Sequence, residues 1–139
     1  APSIFFGDEI GLEGGHDPGC RAGFPWDEGR WDHDLWGFVQ RCITLRKKHR
    51  ALRQGDLHWL LAEDGIVAFG RQLDTETLLV ILNSRRSPTM VGLTVGDYLA
   101  NGLCLKDAWT GNGASVTHGQ ISGLRIPARS GMILIADGT

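Results

Sequence analysis

The sequence predicts a mainly β protein: an antiparallel β-sandwich of about eight strands, preceded by one strand, a long loop and one helix. Three observations predict it. Short runs rich in Val, Ile, Leu and Thr recur about every ten residues from 51 onward. Turns carrying Gly, Asn or Asp separate them. Helical periodicity is confined to a single stretch, 34–49. Short, evenly spaced strands of this kind build sandwiches.

The chain does not begin with methionine, and Ser3-Ile4-Phe5-Phe6 ends at Gly7. A continuous apolar run ending in glycine reads as a strand buried on both faces, of the parallel-sheet kind. Such a strand needs neighbours, yet no second one with a crossover helix follows. The expectation is a piece of a larger protein, with this strand disordered, refolded against the helix and sandwich, or paired with another copy of the chain as a homo-oligomer. From Gly7 to about Trp31 neither period holds, which predicts a long ordered loop, the kind that more often carries function than merely connects.

In the helix, Leu35, Trp36, Phe38, Val39, Cys42, Ile43 and Leu45 make one apolar face. Asp32 or Asp34 is placed to cap it, and Arg46-Lys47-Lys48-His49-Arg50 sets positive charge against the negative end of the dipole. The expected strands are Leu57–Ala62, Ile66–Gln72, Thr77–Asn83, Thr89–Val95, Leu103–Ala108, Ser115–His118, Ile121–Ile126 and Met132–Ala136. Glu63-Asp64-Gly65, Asn101-Gly102 and Gly111-Asn112-Gly113 supply turns between them. The boundary between the two parts falls near 52–55.

Composition narrows the function classes. Hydrophobic residues make up 42% and charged ones 22%, enough for a packed core. A net charge of −2 lacks the basic excess of nucleic-acid binding, and no apolar run reaches the ~18–20 residues that cross a membrane. Glycine accounts for 20 of the 139 residues, about twice the usual share of ~7%, which fits a loop-rich protein. Cys20, Cys42 and Cys104 are scattered, without CxxC pairs; that pattern predicts ordinary thiols in a reducing cytoplasm.

Chemistry concentrates in the loop, where Asp8, Glu9, Glu13, His16, Asp17 and Arg21 fall together, followed by Trp26, Asp27, Trp31 and Asp32. Three readings compete. A metal site lacks ligand spacing, and Arg21 would repel a cation. A sugar site would use Asp17 and Arg21, four apart around a Pro-Gly turn, to reach neighbouring hydroxyls while neutralising one another, with Phe24, Trp26 or Trp31 as the ring. The same pair could instead be a staple across the loop. Spacing alone leaves sugar site and staple level. Elsewhere, Trp59 and Trp109 read as sandwich core rather than as a starch-binding platform, and His33, His49, His58 and His118 as surface or helix-end residues.

The motifs Ser3-Ile4-Phe5-Phe6-Gly7-Asp8-Glu9-Ile10-Gly11-Leu12, Gly14-Gly15-His16-Asp17-Pro18-Gly19-Cys20-Arg21 and Trp26-Asp27 resemble the eighth barrel strand and following loop of the α-amylase superfamily, glycoside hydrolase family 13. They are most similar to its neopullulanase, cyclomaltodextrinase and maltogenic amylase group. Leu45-Arg46 and Ala51-Leu52-Arg53-Gln54-Gly55 resemble the end of the last barrel helix and its junction, and Trp109-Thr110-Gly111 resembles a pattern of the C-terminal sandwich.

The resemblance implies that 1–50 are the remnant of a catalytic (β/α)8 barrel (last strand, long loop, last helix) and 51–139 the C-terminal sandwich. The family is implied to act by a retaining mechanism on α-glucan oligosaccharides, with catalytic carboxylates after barrel strands that lie outside this chain. The expectation for this chain is therefore no catalytic residue, no metal and no cofactor. Asp17 and Arg21 match the D-P-x-x-R whose Asp and Arg bind glucose hydroxyls on the −2 side of the cleft. Glu9 matches the strand-end Glu, implied to support the site by hydrogen bonding, and Trp26 an aromatic implied to serve as wall or packing. His16 stands where the group usually has Asn, Gly19 where Asp is frequent, and Arg50 where Pro is usual. The implied partners are the glucan and the rest of the parent barrel, with no nucleic acid and no membrane. The alternative reading is a non-catalytic module whose β-sandwich binds carbohydrate or a protein surface, with the N-terminal segment as a docking arm.

Overall fold

The computed structural model describes residues 2–136. They divide into two compact units, one up to Lys48 and one from His49 onward.

The first unit begins without a strand. Pro2–Phe6 enters no ladder among the described residues, and the chain turns at Gly7 into a 3₁₀ turn, Asp8–Ile10. This corrects the expected strand Ser3–Phe6. An isolated extended segment has no partner for its N–H and C=O groups, so the apolar pattern alone does not make it a strand. Ile4, Phe5 and Phe6 stay exposed. Asp8 and Glu9 accordingly lie on a helical turn, not on the extended strand end the sequence suggested. The loop carries two further 3₁₀ turns, Gly19–Arg21 and Glu28–Arg30. Helix α1 runs His33–Lys48. Asp32 caps it, its Oδ1 accepting from Leu35 N at 2.9 Å. The apolar face of α1 is only partly covered; Phe38 and Ile43 remain exposed.

The second unit opens with a short helix, α2 (Ala51–Gln54), followed by eight strands: β1 Asp56–Glu63, β2 Ile66–Leu73, β3 Glu76–Asn83, β4 Thr89–Thr94, β5 Cys104–Asp107, β6 Gly113–Ser115, β7 Gln120–Ile126 and β8 Ser130–Ala136. They form one sheet in the order β1-β2-β3-β8-β5-β6 and a second of β4-β7, all antiparallel. The predicted sandwich stands. Asp64 and Gly65, both at positive φ, turn β1 into β2, as their residue types favour.

The core lies between the sheets. Ile66 and Ala68 of β2, Leu79 and Ile81 of β3, and Leu134 of β8 meet Val91 and Leu93 of β4 and Ile121, Leu124 and Ile126 of β7. The inward residues of β7 break the period of two between Ile121 and Leu124. Register explains this: Leu93 pairs with Ile121 and Val91 with Leu124, so Ser122 and Gly123 together oppose Gly92 in a bulge, with Gly123 at φ 73°. Strand β6 lies earlier than the expected Ser115–His118. Pairing with β5 sets Lys106 opposite Gly113 and Cys104 opposite Ser115, while Thr117, His118 and Gly119 are spent on the turn into β7.

Two buried polar side chains tie loops to this frame. Asn83 donates through Nδ2 to the carbonyls of Ser87 and Pro127 (3.0 and 2.9 Å) and accepts from Arg85 N (2.9 Å). Asp107 accepts from Thr110 N, Thr110 Oγ1 and Ile133 N at 3.0, 2.6 and 3.2 Å.

Candidate functional site

The loop is closed at its base by its own backbone. Gly7 O accepts from Ile10 N and Leu12 N (3.2 and 2.9 Å), and Asp32 N donates to Ile10 O (3.0 Å), so the two ends of the loop meet. Gly7 is required here: at φ 91°, a Cβ would sit 2.6 Å from Leu12 Cδ2. Ile10 is buried beneath this closure, and a cleft of about 630 Å³ opens beside it, lined by Glu13, Arg30, Trp31 and Asp32 among others.

Within the loop, His16 O accepts from Gly19 N (2.7 Å) and Pro18 O from Arg21 N (3.0 Å), across a cis Asp17–Pro18 peptide. These turns bring Asp17 and Arg21 face to face. Arg21 Nε lies 2.9 Å from Asp17 Oδ1, and Arg21 Nη2 donates to Oδ2 at 3.0 Å, forming a two-pronged fork. Both side chains stand in solvent, with 75% of Arg21 and 62% of Asp17 exposed. The fork leaves Nη1 and one Nη2 hydrogen free to donate, and lone pairs on both carboxylate oxygens free to accept. A pair of adjacent hydroxyls can therefore be offered a donor and an acceptor by a surface with no net charge.

The other expected residues make different contacts. Glu9 Oε2 accepts from Gly7 N (2.9 Å), holding the first turn, while Asp8 Oδ2 accepts from Phe5 N (3.1 Å). Trp26 rests against Phe24, ring centroids 4.9 Å apart, and is 84% exposed, so it is no buried packing residue. The rings that pack are Phe24, Trp31 and Trp36: Trp31 lies 5.8 Å from Phe24 and 5.5 Å from Trp36, and its Nε1 donates to Pro25 O at 2.7 Å.

Sequence reasoning missed the clasp from Asp32 to Ile10, which runs through backbone atoms that no side-chain pattern announces. It also missed His49. It does stand at the end of α1, but it is buried rather than on the surface, with Nδ1 2.8 Å from Glu76 Oε1, and Glu76 Oε2 accepts from Ala51 N at 2.6 Å. Its position at the end of a basic run hid this. Trp59, read as core, is 64% exposed, whereas Trp109 is half-buried. Cys20 and Cys104 are exposed free thiols; burial pushes the Cys42 thiol up from its ordinary value, with Arg41 pulling it partly back. Among the described residues no group of three His, Cys, Asp or Glu side chains is placed to hold a metal ion, and no helix is long and apolar enough to cross a membrane.

No family model matches the chain. Individual proteins do. The chain is 47% identical over 88 residues to a cyclomaltodextrinase of a Bacillus species, covering 62% of this chain and 16% of that protein. It is 32% identical over 146 residues to the amylopullulanase of Thermoanaerobacter thermohydrosulfuricus, covering 98% of this chain and 10% of that protein. Among solved structures, the protein Ttha1563 from Thermus thermophilus superposes with a TM-score of 0.84 at 31% identity, over 96% of this chain and 27% of that one.

Fold, loop and relatives together define a segment of an α-amylase-type glycosidase. The chain belongs to the α-amylase superfamily, glycoside hydrolase family 13, and corresponds to a C-terminal part of its cyclomaltodextrinase and maltogenic amylase group. It spans 10–16% of the length of the two curated relatives just described.

Proposed function

We propose that this chain is the C-terminal portion of a retaining α-glucan hydrolase acting on maltooligosaccharides, cyclomaltodextrins or pullulan, and that its own contribution is to bind sugar rather than to break the glycosidic bond. The observation that carries the reading is the exposed Asp17–Arg21 fork, held open to solvent on a loop whose closure does not depend on it. Retaining hydrolysis needs two carboxyls about 5–5.5 Å apart across the scissile bond. The adjacent acids Asp8 and Glu9 instead each accept a backbone N–H. The catalytic carboxylates are assigned to the remainder of the parent barrel, which is also this chain's principal partner.

In this reading Arg21 donates to one glucose hydroxyl while Asp17 accepts from its neighbour, fixing the ring by two directed bonds at a neutral surface. Glu9 keeps the first turn in place through Gly7. The sandwich supports the barrel. The three unpaired cysteines agree with a cytoplasmic protein.

The test has two parts. The 139-residue chain, incubated with a chromogenic maltooligosaccharide, is expected to give no turnover; turnover would mean that the catalytic groups are misplaced here. Saturation-transfer NMR with maltotetraose is expected to report contact that Asp17→Asn and Arg21→Gln each remove. Contact indifferent to both variants would end the assignment of the fork to sugar.

A further inference from the structure

The chain carries three asparagines, Asn83, Asn101 and Asn112, and each precedes a small residue: Ser84, Gly102 and Gly113. In such a setting the next residue's backbone nitrogen can attack the asparagine's own side-chain carbonyl carbon. Attack needs two freedoms. The backbone N–H must be able to lose its proton, and the side-chain amide must be able to swing onto the nitrogen. A hydrogen bond held inside the fold withholds either freedom until that region opens.

The three sites differ in both respects. Asn83 is 2% exposed; its Nδ2 donates to the carbonyls of Ser87 and Pro127 and its Oδ1 accepts from Arg85 N. The nitrogen that would attack it, Ser84 N, donates to Gly65 O at 2.9 Å. Asn101 is exposed, yet its Oδ1 accepts from Gly119 N at 2.7 Å, and Gly102 N donates to Val116 O at 2.9 Å. Side chain and nucleophile are engaged at both sites.

Asn112 is exposed in the turn between β5 and β6, within the run Trp109-Thr110-Gly111-Asn112-Gly113. Its backbone N donates to Thr110 Oγ1 and its O accepts from Asp107 N (3.3 and 2.9 Å), while its side-chain amide has no partner among the described residues. The ladder leaves the next nitrogen free as well. Asp107 N bonds to Asn112 O, and further along Val116 N bonds to Leu103 O. Bonded and unbonded pairs alternate in an antiparallel ladder, so Lys106 and Gly113 form a pair without bonds between them. Gly113 N–H therefore points away from β5. Strand β6 ends the six-stranded sheet, and no strand of that sheet meets this N–H among the described residues. Glycines flank Asn112 on both sides, and a Cβ at Gly111 would meet nothing within 4 Å, so no side chain screens the approach. One bond, Asp107 N to Asn112 O, opposes the rotation that brings Gly113 N onto Asn112 Cγ. It lies at the end of a three-residue outer strand, where local opening is easiest.

We propose that Asn112 is a site of spontaneous covalent modification in the folded chain: deamidation by its own backbone, with water as the co-reactant. Gly113 N loses its proton to solvent and attacks Asn112 Cγ. The new N–C bond closes a succinimide ring, the Cγ–Nδ2 bond breaks, and that nitrogen takes up a proton and leaves as ammonia. Water then opens the ring. Cleavage of the N–Cγ bond gives aspartate; cleavage of the bond to the original carbonyl carbon gives isoaspartate, with the main chain rerouted through Cβ and Cγ. Nothing is oxidised or reduced. Either product adds a negative charge to a turn that already holds Asp107, and isoaspartate lengthens the main chain where Asp107 N meets Asn112 O. The modification thus loosens the β5–β6 end of the sandwich as the protein ages, whatever the chain's sugar chemistry.

The test is peptide mapping by mass spectrometry of the 139-residue chain held in mildly alkaline buffer, with isoaspartate detected by enzymatic carboxyl methylation. A parallel sample is held in urea. In the folded chain Asn112 is expected to lose its amide about tenfold or more faster than Asn101, since two hydrogen bonds must open before attack at Asn101. Asn83 is expected to be slower still. In urea the two Asn-Gly sites are expected to converge, because only the fold separates them. Gly113→Ala, where a Cβ meets nothing closer than 3.9 Å, is expected to keep the melting temperature and to slow loss at Asn112 alone. Equal rates at Asn101 and Asn112 in the folded chain, or faster loss at Asn101, would overturn the proposal. A contrast that persists unchanged in urea would trace it to sequence rather than fold, and would overturn it too. Amide loss at Asn112 without any isoaspartate would overturn the succinimide route. Comparing folded with unfolded chain needs no variant, so the test stands even if Gly113→Ala does not fold.

Discussion

Gly70 offers a direct test of how the sandwich edge is packed. It lies on β2 with Tyr98 against it: a Cβ at Gly70 would stand 2.6 Å from both Cε1 and Oη of Tyr98 and 2.7 Å from Cζ. Ordinary carbon contacts lie at about 3.5–4.0 Å, so Gly70→Ala requires the ring to retreat by about 1 Å. Overpacking of this size costs about 1–3 kcal/mol. Reduced freedom of the unfolded chain returns about 0.4–1 kcal/mol, because the backbone at Gly70 is not left-handed. Taken at the middle of each range, the net loss is about 1–2 kcal/mol. For the roughly 90-residue unit from His49 onward, that is a fall in melting temperature of about 4–16 °C. In a Tyr98→Ala background the obstructing ring is gone, so the same glycine substitution becomes neutral or mildly stabilising. Urea denaturation of the four proteins in the cycle therefore yields a coupling of about 1–3 kcal/mol. An equal cost in both backgrounds would show that Tyr98 does not rest on Gly70.

Two further outcomes concern the same unit. Asp107→Ala strips an acceptor from Thr110 N, Thr110 Oγ1 and Ile133 N at a buried position and is expected to cost about 2–4 kcal/mol, with Asp107→Asn milder because one acceptor remains; a denaturation midpoint within error of the unaltered chain would refute the clamp. Burial lifts the Tyr98 phenol from its ordinary 10 to about 12, with Thr77 and Arg71 partly opposing. The folded chain thus keeps a proton that the unfolded chain releases, so this contribution is complete below pH 10 and is lost as pH rises through about 12. Tyr98→Phe should flatten stability against pH in that window, and an unchanged slope would show that the phenol is not buried.

What the sequence made legible follows from which interactions are local. Strands β1, β2, β3, β4, β5, β7 and β8 lie within about two residues of expectation at each end, because β-branched runs and Asp-Gly turns act over a few residues. The Asp17–Arg21 pair was legible for the same reason: four residues around a Pro-Gly bend allow few geometries that keep opposite charges apart. Failures came where distant chain decides. Ser3–Phe6 has a strand's composition but lacks a ladder. Strand β6 was displaced because pairing with β5, rather than its own side chains, fixes its register. His49 was hidden because its partner, Glu76, lies 27 residues away, and Trp59 because burial on an outer strand depends on what lies across it.

The staple and sugar readings of the fork, level on spacing, separate on energy. An ion pair this exposed contributes about 0–1 kcal/mol, since water screens it and two side chains must be held in one geometry. The loop has stronger ties: the bonds from Gly7 O to Ile10 and Leu12, from Asp32 N to Ile10 O and from Trp31 Nε1 to Pro25 O, with the rings of Phe24, Trp31 and Trp36 around them. None passes through Asp17 or Arg21. Removing the fork should therefore leave the loop standing and take away only what the fork offers to solvent. Asp17→Asn keeps shape and one acceptor while removing the charge. It is expected to leave the melting temperature within about 2 °C of the unaltered chain while abolishing saturation transfer to maltotetraose. Were the loop instead to become protease-sensitive together with a marked drop in melting temperature, the pair would be a staple, and the sugar would have to be held by other residues.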